Sequence, residues 1–166
     1  MTPNLATTVA VRRGLDPGDR PSIAGLLEAT GFFNPEELAV ALELVDDRLQ
    51  LGEASHYRFL VAELAGKVVG YACWGVIPGT ADSVDLYWIA VAPTAQGAGV
   101  GRALLEDAER WIASEGRHRI WIETAGRPQY QPTRGFYLAR GCEVAAELVD
   151  YYGPGDDKVI FLKVLP

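Results

Sequence analysis

Runs in which apolar and polar residues alternate, with a period of two, interleave along this chain with longer runs of helical period. Val9 to Arg13 alternates and predicts a first strand. Asp16-Pro17-Gly18-Asp19 supplies a turn and N-cap chemistry for a helix from about Arg20 to Ala29, which Gly31 breaks. Asn34-Pro35-Glu36-Glu37 opens a second helix, with Asn as cap, Pro in the first turn, and two acids where the helix dipole favours negative charge. That helix reaches about Val45 or Leu49 and puts Leu38, Ala41, Leu42 and Val45 on one face.

Tyr57 to Leu64 and Lys67 to Val76 flank Ala65-Gly66, a short hairpin connection, and Ser83 to Val91 predicts the next strand. A helix follows to about Ser114, then a buried strand over His118 to Thr124 and a short helix from Gln131 to Arg140 closed by Gly141. Glu143 to Tyr151 and Val159 to Val164 predict the last two strands, separated by Gly153-Pro154-Gly155-Asp156-Asp157. The order strand-helix-helix-strand-strand-strand-helix-strand-helix-strand-strand is mixed α/β. It implies a central, mostly antiparallel sheet with helices on both faces. No repeat or inter-domain linker stands out, so the pattern predicts a loose terminus over residues 1–6 and one domain over residues 7–166.

The segment between the Ser83–Val91 strand and its following helix is Ala92-Pro93-Thr94-Ala95-Gln96-Gly97-Ala98-Gly99-Val100-Gly101-Arg102. Glycine lacks a Cβ, so the main chain turns tightly there and a bulky anion can come close to its amides. The first N–H groups of a helix have no intrahelical acceptor, and the dipole puts partial positive charge at that end. The combination suits a phosphate or diphosphate. A P-loop would end in Gly-Lys-Ser or Gly-Lys-Thr, whereas this chain has Gly101-Arg102-Ala103. A dinucleotide fingerprint spaces its glycines as Gly-x-Gly-x-x-Gly, which Gly97-x-Gly99-x-Gly101 does not.

With 166 residues, 49% of them hydrophobic, the chain is long enough to bury a core. It contains no apolar run of spanning length and no signal-peptide pattern, which predicts a cytoplasmic protein without membrane partners. Cys73 and Cys142 have no C-x-x-C spacing or histidine cluster, so they predict reduced thiols and no metal. His56 and His118 fall at strand entries, as surface residues do. A net charge of −7 speaks against nucleic acid and sits more easily with a cationic acceptor such as an amine.

Gln96-Gly97-Ala98-Gly99-Val100-Gly101 resembles the Gln/Arg-x-x-Gly-x-Gly/Ala signature of the GNAT superfamily of acyl-CoA-dependent N-acyltransferases. Downstream, Phe136-Tyr137-Leu138-Ala139-Arg140-Gly141-Cys142 is similar to that family's Phe-Tyr-x-x-x-Gly-Phe segment, with Cys142 in place of the aromatic. The resemblance runs from about Val9 to Val164. It implies a strongly twisted seven-stranded sheet with about four helices and an acetyl-CoA-dependent N-acetyltransferase acting by direct attack in a ternary complex. Similar proteins are commonly homodimers.

By that resemblance Gln96, Gly97, Ala98, Gly99, Val100 and Gly101 hold the diphosphate of acetyl-CoA, and Ile89, Ala90 and Val91 offer main-chain groups to its pantetheine arm. Arg102 is placed to reach a phosphate, and Thr133 and Arg134 to contact the far end of the ligand. Tyr137 takes the general-acid position, since a phenol stays protonated at neutral pH. Asp85, eleven residues before Gln96, falls where some members keep a base; aspartate inside a strand invites such a reason, although a solvated strand start explains it equally. Tyr151, Tyr152 and Asp156 in the last connection, with Phe33, Glu37 and Tyr87, are the expected acceptor contacts, and Glu63 and Trp74 extend that set. The acceptor is expected to be a small primary amine. A protein N-terminus or lysine, or a module that senses acyl-CoA without turnover, are the competing readings.

Overall fold

Hydrophobic alternation and glycine punctuation resolve into eleven elements in the computed structural model, which describes residues 8–166. They are β1 (Ala10–Arg13), α1 (Asp19–Thr30), α2 (Pro35–Leu51), β2 (Arg58–Leu64), β3 (Lys67–Val76), β4 (Ser83–Val91), α3 (Val100–Ser114), β5 (Arg119–Ala125), α4 (Gln131–Ala139), β6 (Glu143–Gly153) and β7 (Asp156–Val164). The loose terminus expected at residues 1–6 lies outside the described residues. The strands form one seven-stranded sheet in the order β1-β2-β3-β4-β5-β7-β6. Pairing is antiparallel for β1 with β2, β2 with β3, β5 with β7 and β6 with β7, and parallel for β4 with β5.

The chain divides into two compact units, one comprising the residues up to Trp74 with Trp88–Ala108, the other Gly75–Tyr87 with Glu109–Pro166. In the first unit, Ile23, Leu26 and Leu27 of α1 and Ala41, Leu44 and Val45 of α2 pack on Phe59, Tyr71 and Cys73 of β2 and β3. Gly70, the neighbour of Tyr71 on β3, faces Val100 and Leu104 of α3 instead. Successive strand residues point to opposite faces, so helices cover this part of the sheet on both sides. In the second unit α4 lays Tyr137 against Phe161 of β7, ring centroids 5.6 Å apart.

The helix ends show how local sequence sets the boundaries. Asn34 caps α2 by accepting from Glu37 N, and the Glu37 carboxylate accepts in return from Asn34 N, both at 2.9 Å. Gly31 ends α1 in the left-handed conformation at φ 65. Ala65 and Gly66, with φ 51 and 74, make the tight β2–β3 turn that their two-residue spacing predicts.

Two expectations are corrected. Asp19 was expected to help cap α1, but the cap is Gly18, which offers no side-chain bond. The Asp19 carboxylate turns backward instead, accepting from Asp16 N at 2.7 Å and from both Arg12 terminal nitrogens at 3.0 and 2.5 Å. Nor is the expected loop 153–157 a loop: β6 runs to Gly153, β7 starts at Asp156, and Pro154-Gly155 alone turns the chain. Asp150, with φ 54, stabilises this arrangement. Its N–H donates to Asp157 Oδ1 at 2.8 Å while its own carboxylate accepts from Gly155 N at 2.7 Å, which bridges a register shift between Leu148 and Gly153.

Asn34→Ala removes the side-chain half of the capping box, the bond that Asn34 Oδ1 accepts from Glu37 N, so α2 loses about 1 kcal/mol and the thermal midpoint falls by about 2–4 °C. A urea or thermal melt against the wild type measures it.

Candidate functional site

The glycine bend is built from main-chain bonds within the first unit. Past β4, the N–H of Ala92 donates to Val69 O of β3 at 2.7 Å. A 3-10 turn over Pro93–Ala95 follows, closed by Ala95 N to Ala92 O at 2.9 Å. Gly97 and Gly99 then both take φ 80, in the left-handed region that side chains resist. Helix α3 begins immediately, with Ala103 N donating to Gly99 O at 3.0 Å. Gln96, Gly97, Ala98 and Gly99 are all exposed, while Val100 is buried and anchors the helix.

A Cβ placed on Gly97 or Gly99 would meet no atom within 4 Å. These glycines are therefore required by their backbone conformation, and the space before them is open. The first N–H groups of α3 have no intrahelical acceptor and lie at the positive end of a fifteen-residue dipole, while in the bend before them Ala98 N donates to Ala95 O at 3.3 Å. Such an end receives an anion.

The other residues expected at this end fall as follows. Ile89, Ala90 and Val91 form the last residues of β4, Ala90 buried and its neighbours half-buried. Gly101 is the second residue of α3. Arg102 is exposed and paired with Glu106 one turn on, Nε to Oε1 at 2.7 Å, so a phosphate would compete with that carboxylate for it. Phe33 stands edge-on to Trp88, centroids 4.9 Å apart, and both pack on the core under α1 and α2. Glu37 serves the α2 cap. Glu63 is half-buried and held by Arg12 at 2.8 Å, and Trp74 is wholly buried.

The second unit carries the remaining candidates. Asp85 is half-buried in β4, paired in register with Trp121 of β5, and Tyr87 is partly exposed on the same strand. Tyr137 sits 5% exposed in α4, its ring between Phe136 and Phe161. Its carbonyl accepts from Cys142 N at 3.0 Å across the turn at Gly141, which has φ 84. This closing turn is the physical content of the Tyr-x-x-x-Gly spacing: the glycine ends the helix one turn after the tyrosine. Burial pushes the Tyr137 phenol well above the ordinary tyrosine value, and the nearby Cys142 adds to it. The phenol is thus a hydrogen-bond donor at every physiological pH.

Thr133 is half-buried in α4. Arg134 has a task that spacing did not foretell. Its Nη1 donates to Ala125 O at 2.8 Å and Arg127 O at 3.0 Å, tying the β5–α4 connection together. Beyond it, β5 and the β6–β7 hairpin gather a charged aromatic cluster. Tyr151 and Tyr152 stand edge to face at 4.9 Å, and Lys158 Nζ lies 4.4 Å over the Tyr151 ring and 2.5 Å from Glu123 Oε2. Burial alone would lower the Lys158 ammonium, but its bond to Glu123, the charge of Glu123 and the phenols of Tyr152 and Tyr151 raise it overall, so it stays charged. Asp156 Oδ2 lies 3.1 Å from Arg127 Nε, and its buried Oδ1 has no hydrogen-bond partner among the described residues. Glu123, Arg127 and Lys158 were missed in the sequence because they join across strands rather than along the chain.

With this geometry in place, residues 26–142 match the model of the acetyltransferase (GNAT) family. A protein from Desulfovibrio desulfuricans, described as an acetyltransferase of the GNAT family, is 43% identical, with 96% of this chain and 100% of that one aligned and a TM-score of 0.92. The ribosomal-protein-S18-alanine N-acetyltransferase of Escherichia coli has the same fold at 22% identity, 95% and 94% coverage and TM-score 0.75. So does yncA of Salmonella typhimurium, described as an acetyltransferase with its cofactor acetyl-CoA, at 22% identity, 96% and 95% coverage and TM-score 0.74. No curated protein sequence matches the chain. The chain belongs to the GNAT acetyltransferase family, an acyltransferase class whose members act on amine acceptors. Among the described residues no helix is long and apolar enough to cross a membrane.

Neither cysteine is set up as a nucleophile. Cys73 is fully buried with its thiol raised well above the ordinary value, and burial pushes Cys142 up to about 11 despite the opposing pull of Lys163. Reactivity follows the thiolate, so iodoacetamide at pH 8 leaves both unmodified in the folded protein and labels both in guanidinium, as mass spectrometry reads directly.

Proposed function

We propose that this protein moves an acetyl group from acetyl-CoA to the primary amine of a small molecule. The observation that carries the reading is the exposed bend at Gln96–Gly99, with two left-handed glycines, open space before them and a helix N-terminus behind. The amides of Gln96, Gly97, Ala98, Gly99, Val100 and Gly101 hold the diphosphate, and Ile89, Ala90 and Val91 offer backbone groups to the pantetheine amides. When bound, acetyl-CoA supplies the acyl group as a thioester.

The chain's own residues then manage orientation and protons. Tyr137, protonated because burial disfavours its anion, directs its hydroxyl hydrogen to the departing sulfur. A phenol this weakly acidic donates a hydrogen bond first and yields its proton only as negative charge grows beside it. Asp85, directly or through water, takes the proton of the incoming amine. Tyr87, Tyr151, Tyr152 and Asp156 receive the acceptor. The net charge of −7 draws cationic amines toward the surface. No covalent enzyme intermediate is required, in keeping with the two unreactive thiols.

Thiol release from acetyl-CoA, measured over a panel of small amines, amino acids, aminoglycosides and peptides, tests this. Turnover is expected with one class of small amine; binding of CoA without release by any acceptor contradicts it. Tyr137→Phe is expected to lower kcat by about 10²-fold or more while leaving CoA affinity within a few-fold, since proton handling supplies acceleration of that order. Gly99→Glu puts a side chain and a negative charge into the open space before the bend, and calorimetry is expected to show CoA affinity lost in a protein that still folds.

A further inference from the structure

We propose that Gly70 is a positioning residue of the coenzyme A cradle: by carrying no side chain it sets how closely the end of β4 and the first turn of α3 approach β3. The proposal rests on the reading of the bend as the coenzyme A site.

Gly70 lies inside β3, between Val69 and Tyr71, where a glycine weakens a strand and calls for a packing reason. Its φ is not in the left-handed region, so the backbone conformation itself would accept any residue. What excludes a side chain is contact. A Cβ on Gly70 would stand 2.9 Å from Val100 Cγ1, 3.0 Å from Ala90 O and 3.1 Å from Leu104 Cδ1. Ala90 O is main chain of the penultimate residue of β4, and Val100 is the first residue of α3. These two residues bracket the glycine bend. Val100 and Leu104 are 1% and 0% exposed, so their side chains have little room to swing aside and a clash passes to the helix backbone.

A second observation fixes the same place. The β2–β3 register shifts here, Ala62 pairing with Gly70 but Glu63 with Val68, which leaves Val69 as an extra residue. The carbonyl of Val69 accepts the Ala92 N–H at 2.7 Å, where β4 ends and the bend starts. A bulge re-aims the chain locally and often sits beside functional sites. Val69 therefore fastens the start of the bend and Gly70 admits its two ends. The contrast with Gly97 and Gly99 is physical: those have open space and strained φ, whereas Gly70 has an ordinary φ and no space.

The test uses the full-length protein, with CoA affinity by calorimetry, donor and acceptor KM, and hydrogen exchange of the Ala92 amide. Gly70→Ala is expected to weaken CoA binding about tenfold or more, as overpacking shifts the helix, and to raise the donor KM while the amine KM stays unchanged. Exchange at Ala92 is expected to quicken without CoA present. Adding Val100→Ala removes the atom at 2.9 Å, so Gly70→Ala/Val100→Ala is expected to regain affinity relative to Gly70→Ala. If Gly70→Ala alone fails to fold, recovery of folding and CoA binding in the double variant supports the proposal. Unchanged CoA affinity and Ala92 exchange in a folded Gly70→Ala would overturn it, as would a double variant no better than the single. A wild type that does not bind CoA would instead remove the cradle reading, while the Ala92 exchange still reports whether Gly70 positions the bend.

Discussion

Main-chain donors at the end of β4 can grip an anion only if the strand stops, turns outward and restarts as a helix within a few residues, and the surrounding structure serves that constraint. Ala92 is tied back to Val69, the 3-10 turn at Pro93–Ala95 stiffens the exit, and Gly97 and Gly99 take a backbone conformation that other residues resist. Val100, Leu104 and Leu105 then bury the first turns of α3. The donors are thus held in place before any ligand arrives, which lowers the ordering cost of binding. In the proposed reading the bend binds its anion through main-chain donors, and the exposed Arg102 is paired with Glu106.

The second unit contributes a different kind of chemistry. Its candidates include side chains whose environments set their protonation: Tyr137 kept neutral by burial, and Lys158 kept charged by Glu123 against burial. In the proposed reading, donor binding is a matter of backbone shape and acceptor recognition a matter of side-chain chemistry.

How much of this the sequence displayed follows from the range over which each feature is determined. The Gln96–Gly101 bend, the Asn34 cap of α2 and the Tyr137–Gly141 helix end were legible, because each is a contiguous pattern whose spacing dictates the backbone. The element order was legible for the same reason, from periodicity. Arg134 was not: a guanidinium reaching two carbonyls in the preceding connection leaves no spacing signal. Asp19 looked like a cap because it sits at a helix start, and only Arg12, brought beside it by the fold, shows why it turns away. The β6–β7 turn was read too long because Asp150 and Asp157 satisfy the backbone across a register shift, letting polar and glycine-rich residues continue as strand. Gly70 left a trace, a glycine inside an apolar strand, but its reason lies in α3.

The central claim is that backbone amides at this bend hold the diphosphate. Amide NMR shifts of Gly97, Gly99 and Gly101, followed during titration with acetyl-CoA and separately with acetyl-pantetheine, which lacks the diphosphate, test it most directly. The account predicts saturable shifts at these amides with acetyl-CoA and none with acetyl-pantetheine. Silent glycine amides under saturating acetyl-CoA, or equal shifts with both ligands, would contradict it.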